Sequence, residues 1–296
     1  MPVITCFGET LWDIFPNERK IGGAPLNVAC RLHSLGSKVH LISRVGKDRH
    51  GNQILKFLQH QGMISSGIQI DEHYPTGIVK VHLNNSNTAS YTIEKPAAWD
   101  FISIDEEVLY KIKSSDALIF GSLICRSETS KNTLFTLLDQ PVFKVFDANL
   151  RPPYYSLDLI LELMKKADFI KLNDEELKQV CEFVNIRDGS IKEQLLELSK
   201  RLQSKHICVT MGKNGALLFT ENQLFKNDGY TVEVKDTVGA GDSFLAAFIP
   251  LFLLKKDPQY ALDYSCAVGS LVVSKSGANE PIDEDEIQRL LLSNRK

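Results

Sequence analysis

The residues Asp236-Thr237-Val238-Gly239-Ala240-Gly241-Asp242-Ser243-Phe244 run straight into the apolar stretch 245–254. A loop of small residues therefore feeds a buried helix whose first turn carries a carboxylate. Gly239 and Gly241 let the backbone approach a ligand with no Cβ in the way, and the unpaired N–H groups of a helix's first turn attract anions. Asp242 stands beside any phosphate held there, where a carboxylate binds poorly but serves as a proton acceptor. The same residues also make a glycine-rich turn with Asp placed for cap and dipole reasons. This loop alone leaves both readings open.

Other segments carry polar residues where strands should end. Gly22-Gly23-Ala24-Pro25-Leu26-Asn27 sets glycines and a helix-starting proline before a helical pattern. Gly23 and Asn27 either contact a polar ligand or form a tight turn with a polar first-turn residue. Asp13 follows the first strand, and Asp147-Ala148-Asn149-Leu150-Arg151-Pro152-Pro153 follows another. The prolines hold Arg151 extended, aimed at a phosphate or hydroxyl-rich ligand or paired with Asp147 or Asp13. Asn173-Asp174-Glu175-Glu176 reads as a helix cap, with Asn at the N-cap and Glu three residues on. Its functional alternative is an acidic cluster that holds water around a magnesium ion. Thr210-Met211-Gly212-Lys213-Asn214-Gly215 is a glycine-bounded turn between strands, with no ligand meaning of its own.

Positioning such residues takes a regular frame. Short β-rich runs near 3–7, 39–43, 117–120, 142–146, 169–172 and 207–210 alternate with helical patterns near 25–35, 51–60, 128–138, 157–166 and 191–202. That alternation predicts an α/β fold with a mostly parallel central sheet, helices on both faces, and ligands at the carboxyl ends of the strands. Residues 76–94 break the rhythm as two alternating strands, with Val79, Val81 and Leu83 on one face, Tyr91 and Ile93 in the second strand, and a polar turn at Asn84-Asn85-Ser86-Asn87. No helix separates them, so they predict a small β-flap beside the sheet. Further strands are expected at 216–219 and 231–234, and a closing amphipathic helix at 283–292. No repeat, low-complexity tract or linker divides residues 1–296, which predicts one domain.

Composition narrows the function classes. A chain of 296 residues that is 43% hydrophobic buries a sizeable core. Its net charge of −3, with scattered basic residues, gives no electrostatic footprint for nucleic acid or an anionic membrane. The cysteines (Cys6, Cys30, Cys125, Cys181, Cys208, Cys266) lie far apart without metal-ligand spacing, which predicts reduced thiols in a cytosolic, cytoplasmic protein. The N-terminus reads at once as a strand rather than a signal peptide, and no apolar run reaches the roughly 18 residues that span a bilayer. The motifs of P-loop ATPases, dinucleotide enzymes, α/β-hydrolases and zincins are all missing.

Taken together, Gly22-Gly23 with Asn27, Asn173-x-x-Glu176, the turn 210–215 and the loop 236–244 stand in the order and spacing of the ribokinase-like (PfkB) carbohydrate kinases. The resemblance covers essentially the whole chain, from Gly8 to Pro281. It implies a ribokinase-like fold with a β-flap lid, contributed mainly by about 12–22 and 76–101, and ATP-dependent phosphorylation of a sugar hydroxyl. Asp242 would be the general base, and Gly239, Ala240 and Gly241 the anion hole. Asn173 and Glu176 would organise nucleotide and Mg2+, the latter through water; Thr210, Gly212, Gly215 and Gly241 would line the ATP site, and the Gly277-Ala278-Asn279 loop would close over the adenine. Asp236, Val238, Lys275 and Gly277 match the positions at which family members hold a monovalent cation such as K+, largely through backbone oxygens.

The sugar end resembles the fructokinase branch, through Gly22-Gly23-Ala24-Pro25-x-Asn27-Val28-Ala29, Asp147-x-Asn149-Leu150-Arg151 and Ala98-Trp99-Asp100. Asp13, Gly23, Asn27, Arg151 and Asp242 would meet the sugar. Thr76-Gly77 would start the lid, which excludes water. Fructose is the expected substrate and 2-keto-3-deoxygluconate the alternative, followed by ribose or nucleosides. A catalytically silent sugar-binding protein on the same fold is the rival of another class. Alternation in the flap, with family habit, further suggests a homodimer through the lid. Pro250 departs from the helical pattern after Asp242 and predicts a kink, because it lacks an N–H and crowds the carbonyl of Ala246.

Overall fold

The structure, a computed structural model, describes residues 1–83, 89–186 and 189–293. In chain order its strands are β1 (Val3–Phe7), β2 (Leu11–Ile14), β3 (Arg19–Gly22), β4 (Lys38–Gly46), β5 (Ile68–Asp71), β6 (Gly77–Leu83), β7 (Ala89–Ile93), β8 (Ala117–Gly121), β9 (Phe143–Asp147), β10 (Phe169–Asn173), β11 (His206–Thr210), β12 (Ala216–Thr220) and β13 (Gln223–Asn227). The helices are α1 (Ala24–Ser34), α2 (Arg49–His60), α3 (Glu106–Lys113), α4 (Glu128–Leu138), α5 (Leu157–Lys166), α6 (Asp174–Phe183), α7 (Ile191–Leu202), α8 (Ala240–Leu253), α9 (Pro258–Val273) and α10 (Glu284–Ser293).

The main sheet runs β13-β12-β11-β10-β9-β8-β1-β4-β5. It is parallel from β5 through to β11; the β11–β12 and β12–β13 pairings are antiparallel, so β12 alone runs against the other strands. Alternation along each strand feeds two cores: Phe7, Phe120, Phe146 and Ile170 pack with α3 to α7, while Cys6, Ile119, Val145 and Phe169 pack with α1, α2, α8, α9 and α10. Helices therefore cover both faces, as the strand and helix alternation predicts. The second sheet, β3-β2-β6-β7, joins the early segment to the flap. The expected turn at 84–87 lies outside the described residues.

One local expectation needs correction. Residues 231–234 form no strand: they follow β13, which is the edge of the sheet, and Val234 is 66% exposed. The strand signal belongs one segment earlier, where Glu221 (φ 48°) and Asn222 (φ 63°) turn the chain from β12 into β13. Positive φ at both central positions marks a tight hairpin whose twist matches its strands. Pro250, where a kink is expected, lies inside α8, which continues to Leu253. Phe244, Phe248 and Phe252 stack one turn apart along α8, and Phe169 of β10 packs on Phe248 with centroids 5.3 Å apart. Each buried ring contributes about 1.5–3 kcal/mol, so this ladder holds α8 across the proline and fixes its N-terminus over the ends of β9 and β10. Phe248→Ala would break it at a cost of about 3–5 kcal/mol.

Candidate active site

The first turn of α8 is built for close approach. Gly239 is its N-cap at φ 77°, a left-handed conformation that disfavours side chains, and a Cβ there would overlap Ala278. No side chain caps this end, so N–H groups of the first turn lack partners within the helix. Ala240 N reaches back only weakly, to Thr237 O at 3.4 Å. Gly241 is small for a different reason: a Cβ there would lie 3.1 Å from Lys171 Nζ.

Asp242 is aimed by helix α1. Pro25 in the first turn of α1 sets Asn27 on the face toward α8, and Asn27 Nδ2 donates to Asp242 Oδ2 at 2.9 Å. Asn279 Nδ2 donates in turn to Asn27 Oδ1 at 3.3 Å. Asn279, which the family resemblance sets near the adenine, thus also joins this relay to Asp242. Four residues beyond Asn27, the buried Arg31 donates to Ser243 Oγ (3.2 Å), Ala278 O (3.0 Å) and Glu280 O (2.8 Å). One helix face thus ties the start of α8 to the loop 277–280.

Charge is concentrated around this point. Desolvation, with Asp147 nearby, raises the Asp242 pKa to about 6 against the pull of Asn27, Lys171 and Arg151. Asp13 on β2 rises to about 6, again through desolvation, opposed by Arg151 and reinforced by Asp242. Glu9, just past β1, rises to about 7, mainly through burial. These shifts place Asp13, Glu9, Asp242 and the Arg151 guanidinium in one field at the carboxyl end of the sheet. Arg151 forms no ion pair among the described residues; its Nη1 donates to its own neighbour Leu150 O at 3.1 Å. Among the described residues Arg151 pairs with neither Asp147 nor Asp13, and Asp147 is instead held by Lys171 at 2.9 Å.

A cleft of about 580 Å³ opens on the other side of the α8 N-terminus, lined by Thr210, Gly212, Gly215, Thr237, Ala240 and Gly241 together with Gly229, Tyr230, Thr231, Val232 and Val234. The misread strand 231–234 is therefore a wall of this cleft. Asn173 and Glu176 lie off its walls and make a full capping box: Asn173 Oδ1 accepts from Glu176 N at 2.8 Å, and Glu176 Oε2 from Asn173 N at 2.9 Å. Glu176 Oε1 accepts from Leu150 N at 2.8 Å, so the cap also anchors the Arg151 segment.

The donor set bears on the implied cations. Among the described residues no cluster of three or more His, Cys, Asp or Glu side chains could hold a metal ion. Asp236 fits a monovalent cation poorly. Its Oδ1 accepts from Val238 N at 3.0 Å and its Oδ2 from Lys20 Nζ of β3 at 3.2 Å. Lys275 Nζ is paired with Glu286 at 2.9 Å, and Gly277 sits at φ 113° with open space beside it. Backbone oxygens are what this loop has left for such an ion.

Sequence reasoning missed Glu9, Arg31 and Lys171, and so gave Asp147 the wrong candidate cation. Lys171 had a signal, a charge inside the otherwise apolar run Phe169-Ile170-Lys171-Leu172. Arg31 could have been found as a cation four residues after Asn27 on the face that enters the core.

Comparison with known proteins bears on the fold and the family. A probable fructokinase of Arabidopsis thaliana is 28% identical over 328 residues, covering 100% of this chain and 99% of its own. A 2-dehydro-3-deoxygluconokinase of Thermoproteus tenax is 27% identical over 290 residues, covering 93% and 87%. The crystal structure of a fructokinase with bound ATP from Xylella fastidiosa has the same fold, with a TM-score of 0.86 over 99% of each chain at 21% identity. The pfkB family carbohydrate kinase model matches residues 4–285. The chain belongs to the pfkB family of carbohydrate kinases and is a sugar phosphotransferase.

Proposed function

We propose that the chain is a fructokinase that transfers the γ-phosphate of ATP to the 6-hydroxyl of fructose. The observation that carries this reading is the carboxylate-rich pocket around Asp242. Glu9, Asp13, Asp147 and Asp242 share one field there with Arg151, which has no ion-pair partner among the described residues. Hydroxyl groups of a neutral sugar donate to such oxygens, whereas an acidic sugar brings one more negative charge into a desolvated site. The names of the plant relatives support the same choice. The Thermoproteus tenax relative keeps 2-keto-3-deoxygluconate as the second reading, with Arg151 as the group to meet its carboxylate.

In the reaction Asp242 takes the proton of the sugar hydroxyl as its oxygen forms a bond to the γ-phosphorus. The bond from that phosphorus to the β–γ bridging oxygen breaks, and ADP leaves. A carboxylate with pKa about 6 is ionised at pH 7.5 yet more basic than an ordinary Asp, which suits a general base. The N–H groups at Gly239, Ala240 and Gly241 stabilise the charge on the moving phosphoryl group. ATP occupies the cleft beside Thr210, Gly212 and Gly215, and bound Mg2+ would supply charge neutralisation on its phosphates, with Asn173 and Glu176 nearby.

The sheet β3-β2-β6-β7 acts as the lid, carrying Asp13 on β2, and the 59% exposure of Tyr91 on β7 supports a second copy meeting it there. Sedimentation velocity checks the dimer. ADP release measured with fructose, 2-keto-3-deoxygluconate, ribose and adenosine tests the substrate. Fructose should give the highest kcat/KM; turnover of another sugar with none on fructose overturns the assignment, and ATP binding with no turnover on any sugar points to the silent binding protein.

A further inference from the structure

Lys171 is a buried lysine, 7% exposed, inside a central strand. Its ammonium carries three N–H donors. One goes to Asp147 Oδ1 at 2.9 Å, and among the described residues no other acceptor takes the rest. Buried donors without acceptors are costly, so a site that keeps them is shaped for an acceptor that arrives with a ligand. Strand geometry fixes where they point. Phe169 and Lys171 share a face of β10, and Phe169 packs on Phe248 of α8, so Lys171 lies beneath the first turn of that helix. Its Nζ would be 3.1 Å from a Cβ on Gly241. Asp147 is its register partner on β9, and the second carboxylate oxygen of Asp147 also has no hydrogen-bond partner.

We propose that Lys171 is a further catalytic residue: its ammonium, oriented by Asp147, donates to the oxygens of the phosphoryl group in transit at the α8 N-terminus. The proposal rests on the sugar-kinase reading of that site but on no particular sugar. Burial works against the charge, but Asp147, Glu176 and Asp242 outweigh it and keep the amine protonated. Lys171 takes no proton and forms no bond in the step. It offsets negative charge on the three γ-oxygens while the bond to the sugar oxygen forms and the bond to ADP breaks, and in a desolvated site such a contact acts strongly. Its placement also explains why position 241 is glycine, since a side chain there would displace the ammonium.

The test uses the full-length enzyme, whichever sugar the parent turns over fastest, and ADP release. Lys171→Met should lower kcat about 10²–10³-fold, with KM for ATP and sugar within about threefold of the parent. Lys171→Arg, which keeps the charge and the partner Asp147, should stay at least tenfold above it. Lys171→Ala should regain activity saturably with ethylammonium chloride, a response that a purely structural lysine would not give. A folded Lys171→Met with kcat within threefold of the parent overturns the proposal and leaves the sugar-kinase reading intact. Folded Lys171→Ala with no amine rescue overturns it as well.

Discussion

Asn27→Ala should move the acid limb of the pH–rate profile. Asn27 Nδ2 donates to Asp242 Oδ2 at 2.9 Å, and that bond favours the ionised carboxylate. A hydrogen bond to a charged group is worth about 1.5–3 kcal/mol, and 1.36 kcal/mol corresponds to one pKa unit, so its loss raises Asp242 by about 1–2 units. The parent value of about 6 then becomes about 7–8. The acid limb of kcat/KM reports the base in the free enzyme. Measured on fructose from pH 5.5 to 9 by coupled ADP release, the parent limb should fall near pH 6 and the variant limb near pH 7–8. Activity of the variant should therefore recover toward the parent at alkaline pH. A variant whose activity drops uniformly, with the limb unmoved, would show that Asn27 serves only as a sugar ligand and that Asp242 is not the titrating base.

Glu9 gives a stability test. Its folded pKa of about 7 lies above the ordinary 4.5, so its contribution is fully present below about pH 4.5 and is lost as pH rises through 7, amounting to about 3 kcal/mol. Glu9→Gln should lose less stability than the parent between pH 5 and 8 by about that amount in urea unfolding; equal losses would refute the buried-acid reading. Lys20→Met should free Asp236 Oδ2. KCl, compared with tetramethylammonium chloride, should then stimulate the variant more than the parent, and identical responses would mean that Lys20 does not occupy that carboxylate functionally.

Much of the frame was legible because each part had a local cause. Alternating apolar runs specified the parallel strands, and Asn173 with Glu176 formed the capping box that their spacing predicts. The strand at 223–227 was hidden because Gln223, Lys226 and Asn227 dilute its apolar pattern, while Thr231-Val232-Glu233-Val234 imitates a strand without a neighbour to pair with. Asp242, Asn27 and Asp13 could be singled out because glycines and strand ends mark their positions. The Lys171–Asp147 pair and the contacts of Arg31 with α8 were harder to read, since they come from cross-strand register and helix packing. The contact of Asn279 with Asn27 was hidden for the same reason, since it spans a sequence distance of 252 residues.

The most direct test of the central claim is the turnover of Asp242→Asn. The variant keeps shape and the possibility of a hydrogen bond to Asn27 but cannot accept the sugar proton. With ATP and fructose affinities held within about threefold and the fold intact by circular dichroism, kcat should fall about 10²–10⁴-fold, the range of a lost general base. A folded Asp242→Asn enzyme that binds both substrates and phosphorylates sugar at the parent rate would contradict the account.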